Sequence, residues 1–186
     1  MLLLIDQDGV LADFERGLRQ KWQQAYADVP PLAPEARQSF YAHLDYPEHL
    51  RARVADVCHA EGFFHDLPPM PGAIEGIQAL VAAGHDVRIC TSPLLQNPYC
   101  VAEKYQWVAK HLGTNWLDKM ILTKDKTLVQ GDYLIDDKPD IQGRLTPVWQ
   151  QLIYDATYNQ TVTHLPRMRW DEPHSWRHLL TQLKRA

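Results

Sequence analysis

A chain of 186 residues, 45% of them hydrophobic, is long enough for one domain with a real core and is not composed like a disordered protein. A formal charge of −4 and a pI near 6.1 argue against a surface for nucleic acid polymers, though a local positive pocket for phosphate remains compatible. Cys58, Cys90 and Cys100 are odd in number and form no CxxC pair, as expected of free thiols in a reducing, cytoplasmic compartment.

Leu2 to Ile5 are wholly apolar and predict a buried strand. The apolar run has no basic segment before it and stops at Asp6, too short for a signal peptide or a membrane span. Asp6, Asp8 and Gly9 then end the strand. Asp-Gly is an ordinary turn signal, and a turn accounts for these residues taken alone. Geometry permits more: residues two apart on an extended chain face the same way, so Asp6 and Asp8 can present both carboxyl groups at one edge. Such a pair suits a hard divalent cation, or a nucleophile beside a general acid/base.

Past Asp13, the residues Phe14, Leu18 and Trp22 recur every four positions and predict an amphipathic helix. Three prolines in "DVPPLAPEARQ" break the pattern. Helices are expected around residues 35 to 44 and 47 to 60, and "LPPMPG" closes the section at 67 to 72. Proline punctuation at both ends predicts a helical subdomain over 15–70, inserted into a core formed by 1–14 and 71–186.

From there the chain alternates. Ile74, Ile77 and Val81 mark a helix with Gly84 where its C-terminal cap belongs. "DVRIC" (86–90) is a strand leading into Thr91 and Ser92, and Val101, Tyr105, Val108 and Leu112 mark the next helix, closed by Gly113. "KMILT" (119–123), "YLID" (133–136) and "QLIYD" (151–155) are further strands, and Trp176, Leu179, Leu180 and Leu183 form a last amphipathic helix. His174 and His178 share its i, i+4 spacing, but no third ligand stands nearby and solvent-facing positions are expected. The pattern predicts an α/β fold: a Rossmann-like, doubly wound parallel sheet covered on both faces, with a small helical cap.

Ligands in such sheets gather beyond the carboxyl ends of the strands. Asp6 and Asp8, Thr91 and Ser92, Lys124 and Lys126, and Asp136 and Asp137 all fall there. That common placement points to phosphoryl transfer. Asp6 and Asp136 would hold Mg²⁺, Asp6 could attack phosphorus, and Asp8 could protonate the leaving group and later activate water. Thr91 and Lys126 would bind the remaining phosphate oxygens. No Walker A or Rossmann glycine fingerprint competes.

The order DxDxV, Thr/Ser after the second strand, a lysine, then Asp-Asp resembles the haloacid dehalogenase superfamily. More narrowly, the chain resembles the 5′(3′)-deoxyribonucleotidases, through "DGVLADF", "GFFHDLPPMPGA", "ICTSP", "EKYQWV", "LTKDKTLV", "LIDDKPDI" and the "HSW" tail. The resemblance implies Asp6 as nucleophile, Asp8 as acid/base, and Thr91 and Lys126 as phosphate binders, with Ser92 beside them. It implies Mg²⁺ on Asp6, the Asp8 backbone carbonyl and Asp136, with Asp137 one layer further out. It also implies a helical cap whose Phe14, Phe40, Tyr41 and Phe64 shape a nucleoside pocket, although packing within the cap would equally account for any one of these rings. Gln7 and Tyr41 depart from residues common in the family, and "LLQNPY" differs from the usual loop, which leaves base preference open. The expected substrate is a small nucleotide, with no polymer or membrane partner, and a homodimer is left open. The runner-up is a phosphatase of this superfamily acting on another small metabolite. A non-catalytic nucleotide binder is disfavoured, because it has no use for a nucleophile and an acid together.

Overall fold

The structure, a computed structural model, describes residues 1–171; the expected last helix, with His174 and His178, lies outside the described residues. Six parallel strands form one sheet in the order β3-β2-β1-β4-β5-β6: β1 (Leu2–Ile5), β2 (Asp86–Thr91), β3 (Met120–Leu122), β4 (Tyr133–Asp136), β5 (Gln150–Tyr154) and β6 (Arg167–Met168). Among the described residues, four α-helices accompany them: α1 (Phe14–Ala25), α2 (Glu48–His59), α3 (Ala73–Ala82) and α4 (Cys100–His111). β1 is central, with Ile5 beside Ile89 of β2 and Ile135 of β4. The chain winds outward through β2 and β3, then returns to lay β4 on the other side of β1. The sheet reverses direction there, and such a switch point opens a crevice beyond the strand ends.

Alternation along β1 divides the interior. Leu3 and Ile5 join the main core, to which all four helices contribute, among them Leu18, Val57, Ile77 and Trp107. Leu4 faces the other way, into a smaller cluster with Cys90, Leu134 and Trp149. The expected α/β fold, a doubly wound parallel sheet covered on both faces, is what the structure shows. Among the described residues, loop segments cover the second face. The reason is side-chain competition for backbone groups. Asp125 accepts from the amides of Thr127 (2.9 Å) and Arg144 (2.8 Å), and the Trp149 indole donates to the carbonyl of Lys126 (3.2 Å). These bonds hold the connections after β3 and β4 as turns.

The helix expected over 35–44 is corrected in the same way. Two 3₁₀ turns, Pro34–Ala36 and Ala42–Asp45, stand in its place. Asp45 accepts from the amides of Gln38 (3.1 Å) and Ser39 (3.0 Å), and buried Arg37 pairs with Glu15 (3.1 Å) and Asp45 (3.4 Å). Local side chains therefore take amides that a continuous helix would have used. Strand β6 has two residues, too few to leave a periodic signal.

The loop after β1 sets where its acids point. Gly9 turns the chain at φ +79°, in the left-handed region that favours glycine. The amides of Leu11 and Ala12 both return to the Gln7 carbonyl at 2.8 Å, and Asp13 caps α1 by accepting from the Arg16 amide (3.0 Å). Trp170 anchors the loop from behind, its indole donating to the Val10 carbonyl at 2.8 Å. Trp170→Phe keeps a buried ring but removes that donor. The expected cost is about 1–3 kcal/mol of unfolding free energy for an unpaired buried carbonyl, read from urea midpoints.

Candidate active site

The eight polar residues expected at the strand ends line one cavity of about 620 Å³: Asp6, Asp8, Thr91, Ser92, Lys124, Lys126, Asp136 and Asp137. Phe14, Phe40, Tyr41 and Phe64 line it too. The size suits a small-molecule ligand. Asp6 follows the last residue of β1, and its amide donates to the Ile135 carbonyl (2.9 Å), so the sheet ladder fixes its backbone. Asp136 ends β4.

Lys126 joins the two. Its ammonium lies 2.9 Å from Asp6 Oδ1 and 2.5 Å from Asp136 Oδ2. Burial alone would lower the Lys126 pKa, but the charges of Asp136 and Asp6 outweigh it and the net shift is upward. Burial pushes the Asp136 carboxyl up to about 6, with Lys126 opposing and Asp6 adding to the rise. Asp137 is also raised, by burial and then by the Asp136 and Asp6 charges, while the bond donated by the Tyr158 hydroxyl pulls it back.

Asp6, Asp136 and Asp137 place carboxylate oxygens within 4.8 Å of one another, and Asp137 Oδ1 is buried with no protein partner. Three crowded hard-oxygen donors, one with an unused lone pair, fit a small divalent cation such as Mg²⁺. Asp137, expected one layer out, stands in this group.

A second buried ammonium serves Asp8. Lys104, on α4 and fully buried, donates to Asp8 Oδ2 (2.5 Å) and to Thr91 Oγ1 (2.9 Å). Burial raises the Asp8 pKa and the Lys104 charge works against that rise. Because Thr91 accepts from Lys104, its own hydroxyl proton remains free to point at a ligand. Ser92 instead spends its proton on the Thr123 carbonyl (2.8 Å), and Lys124 donates to the Pro93 carbonyl (3.2 Å). Gln7 turns away from the cavity, as alternation requires, and donates to the Lys104 carbonyl (3.3 Å).

Sequence reasoning missed four residues here. Lys104 lies mid-helix in "EKYQWV" and reads as a surface charge. Glu15 and Tyr158 line the cavity without belonging to any strand end, and Arg37 sits behind them, its guanidinium 5.2 Å from the Tyr158 ring centroid. Only the three-residue spacing of Trp107 from Lys104, which puts both on the buried face of α4, could have flagged the lysine.

The fold is that of haloacid dehalogenase-like hydrolases. A hydrolase of this group from Deinococcus radiodurans, solved with phosphate and sodium bound, superposes with a TM-score of 0.63 at 16% identity, covering 99% of this chain and 95% of that one. A haloacid dehalogenase-like protein from Streptococcus pneumoniae gives 0.59 at 10% identity, covering 98% and 97%. The sequence is more specific. Residues 1–183 match the family described as "5' nucleotidase, deoxy (Pyrimidine), cytosolic type C protein", and the chain belongs to that family. A Bordetella pertussis protein provisionally designated a 5′(3′)-deoxyribonucleotidase is 51% identical over 180 residues, 97% of this chain and 95% of its own. The human cytosolic-type 5′(3′)-deoxyribonucleotidase is 40% identical over 194 residues, 99% and 95% of the two chains. The chain is accordingly a phosphatase-family hydrolase.

The Lys104–Asp8 pair can be tested by stability. Lys104→Met strands a carboxylate, at a cost of about 3 kcal/mol, the low end for a buried pair because 22% of the Asp8 side chain remains exposed. Adding Asp8→Asn to that background removes the stranded charge. The double variant should recover part of the loss in chemical denaturation.

Proposed function

We propose that this protein is a Mg²⁺-dependent phosphatase that hydrolyses deoxyribonucleoside 5′(3′)-monophosphates through an aspartyl-phosphate on Asp6. The observation that carries the reading is the shape of one cavity. Its floor holds Asp6, Asp8, Thr91 and Lys126, and its walls carry Phe14, Phe40, Tyr41 and Phe64. A phosphate fits the floor and a sugar with its base fits the walls.

In the first half-reaction an Asp6 carboxylate oxygen bonds to phosphorus while the ester P–O bond breaks. Asp8 gives its proton to the departing alkoxide. In the second, Asp8 takes a proton from water, the water oxygen bonds to phosphorus, and the Asp6–phosphorus bond breaks. Lys126 and the free Thr91 hydroxyl bind the other phosphate oxygens and stabilise their charge. Asp6, the Asp8 carbonyl and Asp136, backed by Asp137, would hold Mg²⁺, which when bound neutralises charge on the phosphate.

Residues 15–70 act in this reading as a cap inserted into a core of 1–14 and 71–186, supplying Phe40, Tyr41 and Phe64 to the nucleoside. A cytoplasmic setting is supported by three buried free thiols, Cys58, Cys90 and Cys100. No helix among the described residues is long and apolar enough to cross a membrane.

Asp6→Asn should abolish turnover while the fold survives, because an amide is a far poorer nucleophile. Asp8→Asn should lose on the order of 10²-fold or more, the worth of a missing acid/base. Near-normal turnover of dTMP by Asp6→Asn, or full activity in excess chelator, would falsify the mechanism.

The apolar walls give a second expectation. A 2′-hydroxyl pressed against them loses water without gaining a partner, which costs roughly 1–3 kcal/mol. That favours dUMP over UMP by roughly ten- to a hundredfold in kcat/KM. Tyr41, on the cavity rim with its ring edge-on to Phe40 at 5.2 Å, should matter more for nucleotides than for a small aryl phosphate. Equal kcat/KM on dUMP and UMP, with Tyr41→Ala harming nucleotides and aryl phosphate alike, removes the nucleotide assignment and leaves the phosphatase one.

A further inference from the structure

We infer that Glu15 is a specificity-determining residue whose carboxylate accepts a hydrogen bond from a donor on the nucleoside, either a sugar hydroxyl or a base N–H. The inference rests on the nucleotidase reading above. Among the described residues lining the cavity, Glu15 is the one acid that comes from the wall rather than from a strand end. It follows Phe14 in the first turn of α1 and keeps a quarter of its side chain exposed.

Its two oxygens differ. Oε1 pairs with the Arg37 guanidinium at 3.1 Å. No donor from the described residues reaches Oε2. Arg37 cannot leave to serve a ligand itself. It is 2% exposed, donates to the Ser39 carbonyl (3.1 Å), lies 3.4 Å from Asp45, and stacks on Tyr158. Burial raises the Glu15 pKa, and the Arg37 charge is the largest influence opposing that rise. The cavity wall thus holds a fixed acceptor among Phe14, Phe40, Val54 and Cys58. An acceptor in such surroundings rewards a ligand that brings a donor and penalises one that does not.

Glu15→Gln tests this with little change of volume. Arg37 offers N–H groups, so the Gln amide oxygen turns toward it and the NH₂ turns to the cavity. An acceptor becomes a donor. Glu15→Ala is the companion variant, which removes the group altogether. For each, kcat/KM is measured on dTMP, 2′,3′-dideoxy-TMP, N3-methyl-dTMP and p-nitrophenyl phosphate, with thermal melts confirming the fold. The ratio of dTMP to p-nitrophenyl phosphate efficiency should fall roughly ten- to a hundredfold, the worth of one hydrogen bond to a charged acceptor. The loss should shrink on whichever analogue lacks the donor: the dideoxy compound if it is the sugar hydroxyl, the methylated base if it is the N–H. Proportionate losses on all four substrates in the variant that stays folded, or no loss at all, overturn the inference. A wild-type enzyme that cleaves the aryl phosphate but no deoxyribonucleotide overturns the nucleotidase reading itself, and shows it before any substitution is made.

Discussion

Three carboxyl groups brought within 4.8 Å of one another at the end of a buried sheet repel, and burial further penalises the charge on Asp136 and Asp137. The architecture around the cavity answers that constraint. Lys126 lies between Asp6 and Asp136, and Lys104 lies between Asp8 and Thr91. Neither lysine is free to move, since both are buried and both hold more than one acceptor. Pairs of this kind contribute little net stability compared with apolar packing, but removing one member is costly. Their value here is placement: they fix charged groups in a site where, on the proposed reading, a phosphate would bring still more negative charge.

That placement depends on chain topology as well as on charge. The switch in winding direction between β1 and β4 puts Asp6 and Asp136 side by side, though 130 residues separate them in sequence. The loop after β1 then has to pass close to Asp137. Gly9 makes this feasible, because a Cβ there would collide with the Asp137 carboxylate and the Tyr158 hydroxyl. The positive φ and the crowding at Gly9 both demand glycine, so the Asp-Gly that reads as a plain turn is also a packing requirement of the acid cluster.

What the sequence makes legible follows from how local each signal is. The strand tips could be read because an apolar run ending in acids is a contiguous pattern, and four such endings agree. The first five strands appear close to their expected bounds, and so do α1, α3 and α4. Residues 35–44 could not be read this way: their conformation is set by Asp45 and Arg37 reaching across to other backbone and side-chain groups, including Glu15 twenty-two positions upstream. Lys104 was hidden for the opposite reason. It sits inside a regular helix whose pattern explains every neighbour, and its partner Asp8 is 96 residues away. Pattern reading finds groups delivered by an element's end. It misses groups delivered by an element's face to a distant partner.

The same distinction separates the two jobs of the cavity. The groups that the proposed reading assigns to phosphate stand on strand ends, where parallel pairing and buried lysines hold them. The groups that the same reading assigns to the rest of the ligand stand largely on the 3₁₀ turns and loops of 31–47 and on α1 and α2, held by side-chain contacts such as those of Arg37. Tyr41 belongs to the wall: its ring lies against those of Phe40 and His43, and among the described residues no hydrogen bond or ion pair joins its side chain to a strand-end acid. On the proposed reading, phosphate chemistry and ligand choice belong to different layers of structure. Arg37, Glu15 and Tyr158 form the seam between those layers: Tyr158 reaches Asp137 on the floor and Phe40 on the wall, and the Arg37 charge over its ring joins the two.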